Sequence, residues 1–77
     1  MFSYNIAKTA DAKAFAKACG QIEKGIAGAK KEKIIKDVDG SEIQIYSTND
    51  GEIKVFNDYE IDAVYCDSEV NLNKVLI

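Results

Sequence analysis

The stretch IIKDVDGSEIQIYSTNDGEIKVF, residues 34–56, decides the fold. Within it Ile34, Lys36 and Val38 alternate with Ile35 and Asp37. Asp39-Gly40 then supplies a tight turn of the kind that needs positive φ, and Ile43 and Ile45 continue in a return strand. A second turn signal, Asn49-Asp50-Gly51, separates a strand ending near Thr48 from Ile53 and Val55. A period of two on both sides of two turns predicts a three-stranded antiparallel meander.

Downstream, Asn57 to Glu60 is polar and turn-like, and Ala63 to Cys66 reads as a further strand. The segment 70–77 fits a last strand or a short helix. Its final residues Val75, Leu76 and Ile77 are all apolar, so this tail is expected to pack on the domain or on a partner. Upstream, Phe2, Tyr4 and Ile6 alternate with Ser3, Asn5 and Ala7, the pattern of a half-buried strand.

Between these β-type segments the period changes. Ala12, Phe15, Cys19, Ile22, Ile26 and Ala29 recur at spacings of three and four, which places them in one stripe of a helix. Lys13, Lys17, Lys24 and Lys31 fall on the opposite side. Thr9 offers a capping oxygen, and Asp11 a carboxylate in the first turn where the helix dipole favours one. Gly20, Gly25 and Gly28 lie off the stripe, so the helix is expected to end between Gly25 and Gly28.

The order β-α-β-β-β-β implies an α+β two-layer sandwich, one amphipathic helix packed on a mostly antiparallel sheet. Its second sheet face is then solvated or used, with Tyr46, Phe56, Tyr59 and Tyr65 as candidates to line it. Seventy-seven residues suit one domain spanning 1–77, and 47% apolar with 30% charged residues is a folding composition. There is no proline and no low-complexity run to mark a linker.

Cys19 and Cys66 are too few for a disulfide framework and read as two reduced, buried thiols. Met1 to Ala7 alternates, unlike the basic and then apolar run of a signal peptide, and no apolar stretch approaches the roughly 20 residues that span a bilayer. The expected location is therefore cytoplasmic, in the cell or in an infected host, with no membrane association.

Charge is divided along the chain. Residues 1–36 hold eight lysines against Asp11, Glu23 and Glu32, a net of +5; residues 37–77 hold Lys54 and Lys74 against ten carboxylates, a net of −8. An acidic face built from Asp37, Asp39, Asp50, Glu52, Asp58, Glu60 and Asp62 would favour docking on a basic protein surface. The basic alternative is Lys13, Lys17, Lys24 and Lys31, with Lys30, as a nucleic-acid contact. Lysines without arginine or interleaved aromatics are a weak footprint for that role.

Histidine is absent, which removes the usual general base, metal ligand and neutral-pH proton shuttle. The sequence Asp37-Val38-Asp39-Gly40-Ser41-Glu42 has its glycine fourth instead of sixth and so does not fit a calcium loop. Gly25-Ile26-Ala27-Gly28 echoes the GXXG loop that clamps single-stranded nucleic acid, but strand signals follow where a second helix should begin. No catalytic, cofactor or metal site is expected. The chain reads as a small non-enzymatic regulator or inhibitor of a larger protein or complex, of the sort that phages and mobile elements direct at host machinery. A nucleic-acid binder and a structural homodimer, pairing through an open sheet edge or the apolar tail, are the alternatives.

Overall fold

The computed structural model describes residues 1–76. Its elements run β1 (Phe2–Ala7), α1 (Ala12–Gly25), β2 (Lys30–Lys31), β3 (Ile35–Lys36), β4 (Glu42–Thr48), β5 (Gly51–Asp58) and β6 (Ala63–Ser68). Every strand pairing is antiparallel, in the spatial order β1-β6-β5-β4-β2, with β3 also on β4. The helix covers one sheet face, so the chain is an α+β sandwich of one helix on a six-stranded antiparallel sheet.

Of the expected meander, the β4–β5 hairpin across Asn49-Asp50-Gly51 forms in continuous register, and β6 continues it on the far side of β5. The strand expected from Ile34 to Val38 is cut down to β3, and a further short strand, β2, precedes it across a break at residues 32–34. Gln44 explains the break. Its side chain is buried, and its amide nitrogen donates to the Glu32 carbonyl at 2.6 Å, taking over an acceptor between the two short strands. Ile34 then turns toward the core while Ile35 stands half-exposed on the opposite face, and Val38 sits fully exposed in the turn.

Asp11, not Thr9, caps α1. Its Oδ1 accepts from the backbone N–H of Lys13 at 2.8 Å and of Ala14 at 3.3 Å. The chain must first cross from the sheet to the helix layer, and the crossing is tied down just before the cap: Ala10 N–H donates to Asp62 Oδ1 and Asp11 N–H to Asn57 Oδ1. Helix α1 ends at Gly25, inside the expected window. Contrary to the sequence reading, Gly25 is a packing position: a Cβ there would stand 2.9 Å from Val75 Cγ1. Lys31 lies beyond the helix, on β2.

Phe15, Ala18, Cys19 and Ile22 from α1 meet Tyr46, Ile53, Val55, Val64 and Cys66 from the three central strands. Tyr46 is thus core and does not line the second face. The tail is neither strand nor helix. It folds back as turns, with Leu72 fully buried and Val70, Val75 and Leu76 packed around it; Ile77 lies outside the described residues. Completely burying a leucine stabilises a fold by about 1.5–3 kcal/mol, so this segment is part of the core.

Polar side chains on the covered face clamp each covering segment to the sheet. Tyr46 Oη reaches the Glu23 carboxylate and the Cys19 carbonyl of α1. Asn57 holds the helix entry and Gln44 the β2–β3 connection. Tyr4 Oη accepts from Leu72 N–H at 2.7 Å and so fixes the tail.

Candidate docking face

The pleat of β4 runs against its own hydropathy. Gln44 and Tyr46 point inward and are buried, whereas Ile43 and Ile45 are carried to the sheet face away from α1. The cross-strand register then sets Ile35, Ile43, Phe56, Tyr65 and Asn5 side by side in one row across five strands. Phe56 and Tyr65 stack, ring centroids 4.5 Å apart at 12°. Of the aromatic candidates for this face, the structure thus brings Phe56 and Tyr65 together. Tyr59 stands half-exposed at the rim, its ring within 3.7 Å of where a Cβ on Gly40 would lie.

A groove of about 360 Å³ runs along one end of this row. Its floor is Ile35, Ile43, Phe56 and Tyr65, and its walls carry Asp37, Asp39, Glu42, Asp58 and Glu60. Lys36 is the one cation of the lining among the described residues and pairs with Glu42 at 3.8 Å.

Two turns build the acidic wall. In the β3–β4 turn, Gly40 takes a φ of +91°, which favours glycine, and Asp39 Oδ1 accepts from Ser41 N–H at 2.8 Å. That backbone hydrogen bond holds the Asp39 carboxyl below its ordinary range, so it stays ionised. In the β5–β6 turn, Asp58 Oδ1 accepts from the N–H groups of Glu60 and Ile61. Asp58 Oδ2 accepts from the Tyr65 hydroxyl at 3.2 Å, and burial together with this bond raises the phenol's pKa. Tyr59 N–H donates to Ser41 Oγ at 2.9 Å and joins the two turns into one rim.

The acidic residues singled out in the sequence are divided by the fold. Asp37, Asp39, Asp58 and Glu60 share this groove, with Glu42 as an addition. Glu52 lies at the other end of the same face beside Lys54, Asp67 and Glu69, and Asp50 sits exposed in the adjoining β4–β5 turn. Asp62 is diverted to the helix entry, where it anchors Ala10. Of the lysines, Lys13, Lys17 and Lys24 are exposed on α1 across the sandwich, while Lys31 pairs with Glu23 at 3.4 Å.

Both cysteines are free and buried. Burial raises the Cys19 thiol and pushes Cys66 up to about 12, with the Asp67 carboxylate adding to the second shift. Neither is an activated nucleophile. Among the described residues no group of three His, Cys, Asp or Glu side chains is placed to hold a metal ion, and no helix is long and apolar enough to cross a membrane. Compared with protein-family models, curated proteins and solved structures, the chain finds no match.

Proposed function

We propose that this chain is a non-enzymatic interaction module, a regulator or inhibitor, that docks the sheet face opposite α1 onto a basic surface of a larger protein or complex. One observation carries the reading: β4 buries Gln44 and turns Ile43 outward, in line with Ile35 and a stacked aromatic pair and beside five carboxylates. Apolar and aromatic side chains supply the desolvated centre of an interface, and a charged rim steers the encounter and selects the sign of the partner. A regulator of this kind, encoded by a phage or mobile element against host machinery, would act by occupying a surface its target needs.

Affinity capture from host extract with matched variants tests it. Asp37→Lys combined with Glu60→Lys should lose the captured protein, as should raised salt, while Lys17→Glu combined with Lys24→Glu should retain it. The opposite pattern, with a nucleic acid recovered through the lysines, would refute the proposal and establish the basic alternative.

A further inference from the structure

The two edges of the sheet are treated differently. On the β4 side, β2 and β3 pair with Ser47, Tyr46, Ile43 and Glu42 and cover most of the edge. On the other side β1 is terminal in the strand order, and among the described residues no backbone hydrogen bond from a segment other than β6 reaches it. The edge is long enough to template a partner strand. It carries no proline, and its one irregularity is confined to Asn5/Ala7.

Beside this edge lies a groove of about 490 Å³, with β1 from Ser3 to Ile6 as one wall and α1 as the other. Ala14 and Ala18, one helical turn apart, leave the room that larger residues would fill, and Leu76 contributes an apolar surface. Among the described residues Lys17 is the only charged one of the lining. A second hollow of about 360 Å³ continues along the strand past Asn5, and there Lys8 is the only charge among the described residues.

We infer that this edge is a second binding site, which takes an extended, acidic peptide segment of a partner as an added strand between β1 and α1. Backbone N–H and C=O groups of β1 would supply the pairing and Ala14 and Ala18 the space for alternate side chains. Lys8 and Lys17 would select carboxylates over basic side chains. The site is separate from the proposed docking face and of opposite sign, so either can fail without the other.

Selection of seven-residue peptides displayed on phage against the full chain tests it. The expected winners alternate β-branched residues with Asp or Glu. A synthetic winner should slow amide exchange at alternate residues of β1 and shift the Ala14 and Lys17 resonances. Lys17→Glu should weaken it about fivefold or more at low salt and less at high salt. The inference is overturned if acidic peptides are not enriched or if they map to Phe56 and Tyr65. A concentration-dependent dimer that already covers β1 would overturn it as well.

Discussion

The hydroxyl of Tyr46, at the centre of the covered sheet face, donates to the carboxylate of Glu23 near the end of α1. Tyr46 is fully buried, whereas the Glu23 side chain is 42% exposed and also pairs with Lys31, so the bond links the core to the surface through one side chain. It holds the Glu23 carboxyl below its usual 4.5 and, with burial, pushes the phenol well above its usual 10.

Tyr46→Phe should therefore cost about 1–2 kcal/mol at pH 7 in urea unfolding, the value of a hydrogen bond to a charged group discounted for exposure of Glu23. The pH profile separates this from loss of packing. Because the folded Glu23 pKa is depressed, its contribution is present above the unfolded value near 4.5 and fades as pH falls through the folded one. The variant should lose less stability than the parent between pH 5 and pH 3. An identical acid slope in both proteins would contradict the assignment.

Two glycines of α1 should respond in opposite ways. A Cβ at Gly20 meets nothing within 4 Å, so Gly20→Ala should raise stability by about 0.5–1 kcal/mol through helix propensity alone. Gly25→Ala would press on Val75 and should lower stability or displace the tail. Combining it with Val75→Ala should remove the clash, and thermal melts of the three proteins check the order.

The thiols of Cys19 and Cys66 should be nearly silent toward a thiol reagent at pH 8 in the native state and both react on unfolding, because burial raises both pKa values. Cys66 and Tyr46 keep their protons in the folded chain to higher pH than in the unfolded one. The stability they contribute is complete below the unfolded values of 9 and 10 and is lost as pH climbs toward the folded ones. Stability should accordingly fall above pH 9, and the thiol of Cys66 should become reactive as it does.

Asn57 is buried with its Oδ1 accepting from Asp11 N–H, while its Nδ2 has no partner among the described residues. Asn57→Ala leaves the helix-entry N–H without its acceptor and should cost about 1–2 kcal/mol. Asn57→Asp keeps the acceptor but buries a charge, and should cost more at pH 7 than at pH 3. Equal losses at both pH values would exclude this account.

The β4–β5 hairpin was legible because Asn49-Asp50-Gly51 punctuates alternating segments, the strand before Asp39-Gly40 only as the two residues of β3, and α1 because Phe15, Cys19 and Ile22 keep a helical spacing. The facing of β4 was not. Ile43 and Ile45 look like core and Gln44 like surface until strand register, helix position and the Glu32 carbonyl reverse them. The acidic face was half legible for the same reason. Asp39 and Glu60 become neighbours through the Ser41–Tyr59 hydrogen bond, and Asp62 leaves because the helix entry needs an acceptor, neither of which is written in local pattern.

β1 is made first and pairs with β6, Phe2 lying opposite Ser68. During synthesis β1 thus has no strand partner until Val64, 57 residues beyond Ala7, has emerged. A truncated chain lacking β6 would leave β1 without a strand partner and remove Val64 and Cys66 from the core beneath α1. Folding is then an all-or-none event that waits on a late closure, and the rate should reflect that long loop more than the speed of the helix or of either hairpin.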